Sequence, residues 1–324
     1  MAENTKIEWA HHTFNPWEGC TKVGPGCDHC YAEARNHRFG GDNWGPGKAR
    51  RRTSPSNWTQ PLKWDRQAAK QGVRYRVFCA SLADVFDNEV PRQWRMDLFS
   101  LIAKTPNLDW LILTKRIGNV KRMSSWDSVM FDMIAQRCWL GITVVNQEEA
   151  NRDIPKLLEI PAKLHWLSME PLLGPVDLTD IHWPDEHGVQ VFSALECDVP
   201  PEDDPFDGDC VDWVVVGGES GAKARPMHPD WARSLRDQCA EASTPFLFKQ
   251  WGEWQVASHE NGHYSSDMVS NGAYWVDLNG NTHKPSSLDL LDPIAMVKAG
   301  KACTGRVLDG ELHDGFPASP AEGH

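Results

Sequence analysis

Short apolar runs alternate along this chain with longer segments whose apolar residues recur at helical spacing. The runs, rich in β-branched and aromatic residues, fall at Arg76–Ala80, Trp110–Thr114, Trp139–Val144, Leu164–Ser168, Trp213–Val216 and Pro245–Lys249, with a shorter one at Thr13–Asn15. Each has the length of a strand. Between them the spacing predicts helices at about Cys30–His37, Arg92–Lys104, Ser125–Arg137, Gln147–Glu159 and Pro229–Ala242. The Leu-Ile-Leu run at Leu111–Leu113 and the Val-Val-Val run at Val214–Val216 are continuous rather than alternating, which predicts strands buried on both faces. Repeated strand–helix–strand units imply a parallel sheet with right-handed crossovers. The expected fold is therefore α/β, a partial (β/α) barrel of about six or seven parallel strands. A doubly wound sheet is the alternative.

Such folds hold their active sites at the carboxyl ends of the strands. Here the strand ends are polar in phase: Asn15 to Cys20, Ser81 to Asp84, Thr114-Lys115-Arg116, Thr143 to Asn146, Ser168-Met-Glu170, Gly217 to Gly221 and Lys249 to Gly252. Two regions break the rhythm. Residues from about 182 to 212 are rich in Pro, Asp and Glu and read as an acidic insertion. Beyond Trp254, Gly and polar residues become dense, and a strand-like Ala273–Leu278 flanks an Asn-Gly-Asn turn. The expected organisation is a barrel over residues 1–254 and a C-terminal extension over 255–324, with a frayed Pro-Ala-Ser-Pro-Ala end.

Of 324 residues, 40% are hydrophobic and 24% charged, which excludes disordered, collagenous and coiled-coil classes. No apolar run approaches the roughly 20 residues that cross a bilayer. The amino-terminal stretch is polar, so a cytoplasmic protein without membrane attachment is expected. Net charge is −12, against a general grip on phosphate backbone. That average hides an asymmetry, because residues 31–80 carry +8 and the rest −20. Within the basic stretch, Lys48, Arg50, Arg51 and Arg52 precede Trp58 and Trp64. Cations interleaved with indoles suit single-stranded nucleic acid. A charge run is more commonly a solvated loop.

Lys115, Arg116, Glu170, Arg225 and Lys249 are charged residues beside buried runs, where charge is costly unless paired or used. They fit either a ring of ion pairs or a site for an anionic substrate, in which the arginines would grip phosphate or carboxylate bidentately.

Nine cysteines without a secretion signal argue against a disulfide framework. Six are scattered. Cys20, Cys27 and Cys30 share one loop after the first strand, in the pattern CxxxxxxCxxC, with Gly24, Pro25 and Gly26 permitting a tight turn. Two metal readings compete. Zinc needs a fourth ligand, for which His11, His12, His29 and His37 are near in sequence, and no second Cys-x-x-Cys pair exists. An iron–sulfur group held by three cysteines would leave one iron open.

The stretches Phe14-Asn-Pro-Trp-Glu-Gly-Cys20 and Cys27-Asp-His-Cys30-Tyr-Ala-Glu resemble the phage-associated three-Cys-motif family, uncharacterised proteins related to radical SAM enzymes. The resemblance continues through Phe78 to Phe86, Leu113 to Arg116, Ser168 to Pro175, Val216 to Gly221, Arg225-Pro-Met, Lys249-Gln-Trp-Gly and Gly305 to Gly310, almost the whole chain. It implies a radical SAM-like barrel and a 4Fe-4S cluster on Cys20, Cys27 and Cys30. The open iron would hold S-adenosylmethionine, whose reductive cleavage yields a 5′-deoxyadenosyl radical. An electron donor follows as a partner, with a further protein partner if the chain serves a phage or defence system.

The same resemblance distributes the cofactor contacts. The superfamily's Gly-Gly-Glu element follows the second strand, whereas Gly217-Gly218-Glu219 follows a late one. Asp84, after the second strand, therefore takes the claim on the methionine amino group. Thr143 and Asn146 are assigned the ribose hydroxyls, and Gly217, Gly218 and Glu219 face adenine or substrate. Lys115, Arg116, Glu170, Arg225 and Lys249 complete the substrate side. The substrate class expected from the basic arm and the phage association is a nucleic acid or nucleotide derivative. The rivals are a zinc-stabilised nucleic-acid-binding module without catalysis and a partner-dependent phage or defence component.

Overall fold

Seven strands answer the seven apolar runs: β1 (His12–Thr13), β2 (Tyr75–Cys79), β3 (Leu108–Thr114), β4 (Cys138–Thr143), β5 (Leu164–Met169), β6 (Trp213–Gly217) and β7 (Phe246–Gln250). They form one seven-stranded sheet in chain order. The β1–β2, β2–β3, β3–β4 and β6–β7 ladders are parallel. A doubly wound sheet reverses its strand order at a switch point. No reversal occurs, so the topology is that of an open, partial β/α barrel. The computed structural model describes residues 5, 7–124, 128–185, 188–196, 209–257, 274–283 and 294–318. Among these, no helix is long and apolar enough to cross a membrane. By internal contacts the chain divides into two units, Met1–Thr143 with Pro155–Trp166, and Val144–Ile154 with Leu167–His324.

In the first unit, helices α1 (Tyr31–Arg38), α2 (Gln60–Gln71), α3 (Arg92–Ala103), α4 (Ile117–Ser124) and α5 (Ser128–Arg137) separate the strands. Trp64, Trp110, Trp139 and Trp166 are buried, and each contributes about 2–3 kcal/mol of apolar transfer. Their polar edges are used where the chain offers a partner. Trp110 Nε1 donates to Thr105 Oγ1 (3.1 Å) and Trp166 Nε1 to the Trp139 carbonyl (3.1 Å). Helix α2 falls within the stretch read as a basic arm. Its buried face is Pro61, Trp64 and Ala68, one helical stripe, and Gly72 stops it in the left-handed region at φ 65°.

In the second unit lie α6 (Gln147–Leu158, whose last turn belongs to the first unit) and α7 (Pro229–Glu241). His228, fully buried, caps α7 by accepting the Asp230 N–H at Nδ1 (3.1 Å). Where an acidic insertion is expected, a hairpin pairs Ile181–Asp185 with Gly188–Phe192; residues 197–208 lie outside the described residues. Cys210 is disulfide-bonded, a departure from the expectation of unlinked thiols. A four-stranded antiparallel sheet follows in the order Trp254–Val256, Ile294–Lys298, Tyr274–Val276, Thr282–His283. The chain then returns to β7: Phe248 N–H donates to His313 O and Gly315 N–H to Phe246 O, both at 2.9 Å, covering that edge. The Pro-Ala-Ser-Pro-Ala end lies outside the described residues from 319.

Candidate functional site

The strand-end residues of the first unit are tied to the cysteine loop by main-chain and amide bonds. Asn15 Nδ2 donates to Ser81 Oγ (3.0 Å), its Oδ1 accepts from Leu82 N–H (2.8 Å), and Gly19 N–H reaches Leu82 O (3.0 Å). Gly19 sits at φ 111°, and a Cβ there would lie 2.4 Å from the Asn43 carbonyl oxygen, so only glycine delivers the chain to Cys20. Pro25–Cys27 form a single 3₁₀ turn, and Cys30 precedes the first turn of α1. The loop therefore has the tight backbone that its Gly-Pro-Gly predicts.

Burial sets the character of the thiols. It pushes Cys20 up to about 12, with Asp84 adding to the rise and Arg116 opposing it. Burial also raises Cys30, countered by the main-chain N–H groups of Glu33 and Ala32 and by the Lys115 charge. Both are protonated thiols near neutrality, so a metal must displace protons to bind them.

Arg116 is the hub of this unit's site. Its Nη2 donates to the Thr21 carbonyl at 2.6 Å, and its Nη1 to Cys20 Sγ at 3.5 Å and to Asp84 Oδ2 at 3.4 Å. The Arg116 and Asp84 side chains are 8% and 7% exposed. Asp84 is also committed elsewhere, accepting from Phe86 N–H (2.9 Å), Thr114 Oγ1 (2.8 Å) and Lys115 N–H (3.0 Å). Its carboxylate is thus occupied by the chain's own donors, including the one expected to bind substrate beside it. Lys115 Nζ donates to Thr143 Oγ1 at 2.8 Å. It has no carboxylate partner among the described residues.

The basic arm is largely consumed internally. Arg50 is fully buried: Nε donates to Asp87 Oδ2 (2.9 Å), Nη2 to Thr21 Oγ1 (2.7 Å) and Nη1 to the carbonyls of Asn43, Gly45 and Lys48. Arg52 lies 4.2 Å over the Trp58 ring and pairs with Asp97 at 2.6 Å. Trp64 is 1% exposed and stacks on His12 at 4.3 Å. Two members of the 48–64 stretch, Arg50 and Trp64, are thus turned inward. Arg50 and Trp64 cannot meet a nucleic acid, because the fold uses them to pin the arm to the cysteine loop and the sheet. Arg51 stays exposed, paired with Glu18.

In the second unit the strand ends of β5, β6 and β7 form another polar cluster. Glu170 accepts from Lys249 Nζ at Oε2 and from Gln250 Nε2 at Oε1 (2.5 Å). Gln250 Nε2 also reaches Ser220 Oγ (3.0 Å). Glu219, 6% exposed, receives a fork from Arg225: Nη2 to Oε1 (2.7 Å), Nε to Oε2 (2.9 Å) and the main-chain N–H to Oε2 (2.7 Å). Gly218 passes so close to Trp251 that a Cβ would lie 2.0 Å from its carbonyl oxygen. A Cβ on Gly217 would touch the Glu170 carboxyl at 3.4 Å. Asn146, expected at ribose, caps α6 instead: its Oδ1 accepts the Glu149 N–H at 2.9 Å.

Within this unit Glu170 joins Lys249 and Glu219 joins Arg225, the ion-pair alternative of the sequence reading. Thr21 and Gln250 are organising residues that sequence reasoning did not name, and Arg50 and Thr114 are ones it named without their structural role. All but Arg50 lie within strand-end stretches or the cysteine loop, so the phase of polar residues was the available signal.

The donor chemistry suits a thiophilic group: three thiols on an eleven-residue stretch, main-chain N–H donors on Cys30 and a guanidinium on Cys20. Cys20, Cys27 and Cys30 are the residues that would hold it. Convergence is incomplete, since among the described residues no three His, Cys, Asp or Glu side chains are grouped closely enough for a metal ion.

No curated protein matches the chain. Two solved structures do. A cysteine-to-serine variant of spore photoproduct lyase is 13% identical, with a TM-score of 0.39 over 82% of this chain and 72% of that one. A double variant of spore photoproduct lyase with bound AdoMet and dinucleoside spore photoproduct is 12% identical, with a TM-score of 0.38 over the same shares. A family model spans the cysteine loop, both strand-end clusters and the returning C-terminal segment, matching residues 4–317, and the chain belongs to that family, described as Protein of unknown function (DUF5131).

Proposed function

We propose that the chain is a radical SAM-type enzyme: a 4Fe-4S cluster on Cys20, Cys27 and Cys30 binds S-adenosylmethionine, and its substrate is a nucleic acid or nucleotide derivative. One observation carries this reading, the three-thiol loop leaving the first strand of a singly wound parallel sheet, with Arg116 and Lys115 bringing positive charge to it. When bound, the cluster would supply the electron that cleaves the cofactor's carbon–sulfur bond. The chain's part is to hold the sulfurs, orient the ligand and exclude water. Lys115, bonded to the Thr143 hydroxyl and with no carboxylate opposite among the described residues, is the residue best placed to take a ligand anion. Asp84 serves Arg116 and the main chain, so its role is to position rather than to bind the amino group.

The test is anaerobic reconstitution of the full chain with iron and sulfide, then reduction with S-adenosylmethionine. The expected result is a brown protein that releases 5′-deoxyadenosine. Well-loaded protein that releases none refutes the radical reading. One colourless zinc per chain favours the zinc-stabilised module instead. The association with phage and the protein partner belong to this proposal too, and an anaerobic pull-down with the loaded chain tests them.

A further inference from the structure

Helices α3, α4 and α5 of the first unit line a cavity of about 260 Å³. Its wall takes Arg92, Arg95 and Met96 from α3, Arg122 and Met123 from α4 and Met130 from α5, and the loop after β2 completes it. None of these residues belongs to a strand-end cluster or to the cysteine loop. Close-packed interiors hold few voids much larger than a water molecule, so a space of this size walled by arginines is not ordinary core.

Arg95 gives the cavity its character. It is 7% exposed, and its Nη1 donates to the Val85 and Asp87 carbonyls (3.2 and 3.3 Å) and its Nη2 to the Val90 carbonyl (3.4 Å). Of the five guanidinium donors, the Nε–H and one Nη2 N–H are left without a partner among the described residues. Neutral carbonyls satisfy donors but do not cancel a charge. The acids that act on Arg95 are committed elsewhere, Asp87 to Arg50 at 2.8 Å and Asp84 to Arg116 at 3.4 Å. Burial accordingly lowers Arg95 from its usual range, with Asp87 and Asp84 opposing the fall and Arg122 adding to it. No acidic side chain lines the cavity among the described residues. A buried cation in such a wall is stabilised by an anion that brings its own charge.

The rest of the wall suits an apolar body. Met123 and Met130 are buried and Met96 is half-buried. Thioether side chains reshape around what they enclose and make favourable contacts with aromatic edges. Arg92 and Arg122 are exposed, the latter held by Asn88 Oδ1 (2.7 Å) and Asn119 Oδ1 (3.0 Å). They add positive charge that draws anions toward the opening.

We propose that this cavity is a binding site for a small organic anion, whose carboxylate or phosphate meets Arg95 and whose apolar body lies among the three methionines. Its volume is just below the roughly 300–1,000 Å³ usual for ligand pockets, so the ligand is no larger than a substituted ring. The site needs no metal and does not depend on the three-cysteine reading, so either can fail alone.

The experiment titrates the metal-free full chain by calorimetry with benzoate, phenyl phosphate, inorganic phosphate and neutral benzyl alcohol. One site per chain is expected for benzoate or phenyl phosphate, and the tighter of the two names the head group. Inorganic phosphate lacks the apolar body and benzyl alcohol the charge, so each should bind about tenfold more weakly, or worse. Arg95→Gln should weaken the aromatic acid about tenfold. Arg95 also ties down the loop after β2, so a second variant guards against misfolding. Met96→Trp fills the cavity with every arginine kept, and should abolish binding while circular dichroism stays that of the wild type. Lys70→Gln, which removes an exposed cation of α2 outside the cavity wall, should bind as the wild type does. A wild-type chain that binds neither aromatic acid overturns the proposal. So does benzyl alcohol or inorganic phosphate binding as tightly as the acids, or undiminished binding in Met96→Trp. A loss in Lys70→Gln as large as that in Arg95→Gln overturns it too, because general surface charge is then the cause.

Discussion

The two strand-end clusters differ in how their charges are settled. In the Gly-Gly-Glu region, Glu219 is forked by Arg225 and Glu170 is held by Lys249 and Gln250, so each acid has a basic or amide partner of its own chain. In the cysteine region, Asp84 balances Arg116, but Lys115 meets a hydroxyl and no carboxylate among the described residues, on a side that carries three free thiols. A settled cluster is scaffolding, or a rim that a substrate touches. An unsettled one has capacity left for an anion and for soft-metal chemistry. Under the proposed function, the reaction falls to the cysteine side and rigidity to the other.

The largest expected effect tests that assignment directly. Cys27→Ala should abolish 5′-deoxyadenosine formation and lower bound iron, whereas Lys249→Met should keep the iron and lose at most part of the activity. Product formation and iron content, measured on both variants, check it. Equal losses would erase the distinction between the regions.

Rigidity is probed next. Gly218→Ala places a methyl 2.0 Å from the Trp251 carbonyl oxygen, a contact with main chain rather than with a yielding side chain. The variant should be destabilised by about 3 kcal/mol or more, in the range of overpacked sites. Thermal unfolding reads the loss. A Gly218→Ala chain as stable as the wild type would mean that this loop is mobile enough to bind rather than to brace.

The charge difference gives a third, smaller contrast. Arg225→Met takes the guanidinium fork from Glu219, 6% exposed, and should cost about 2–3 kcal/mol, while the double change with Glu219→Gln should return part of it. Lys115→Met breaks no described ion pair and should change stability by about 0.5 kcal/mol or less. Denaturant midpoints on the three variants decide the point. A large loss in Lys115→Met would show that Lys115 is structural and remove it from the anion-binding role.

Much of this was legible in the chain itself. All seven sheet strands lie where apolar runs predict them, because strands buried on both faces, such as Leu108–Thr114, leave a continuous signal. Helix α2 escaped because its stripe of Pro61, Trp64 and Ala68 lies among so many cations that the segment reads as a solvated arm. The inward turn of Arg50 escaped for the same reason. A row of arginines carries no mark of which one folds inward, and only the long-range meeting of Arg50 with Asp87 and Thr21 shows it. Likewise the residue types near the cysteines were evident, but the capture of Asp84 by Arg116, Thr114 and the main chain depends on where β2 and β3 end side by side.

The smallest expected effect concerns pH and sets His12, on β1 in the first unit, against His228 in the other. His228 spends Nδ1 on the α7 cap. His12 is 5% exposed, stacked on Trp64, and neither ring nitrogen has a hydrogen-bond partner. Burial lowers it from 6.5 to about 4, with His11 adding to the fall. The folded state thus keeps His12 neutral where the unfolded chain takes up a proton. Stability from this residue is complete above pH 6.5 and declines between 6.5 and about 4. His11, lowered by burial and by Arg76, acts in the same direction. Carboxylates held below their usual range, such as Asp309 at about 2, lose their contribution only under more acid conditions. His12→Phe keeps an aromatic face for Trp64 and removes the proton. Its melting temperature should therefore fall less than that of the wild type between pH 6.5 and 4.5. Parallel curves for the two proteins would place the acid sensitivity of this unit elsewhere than at His12.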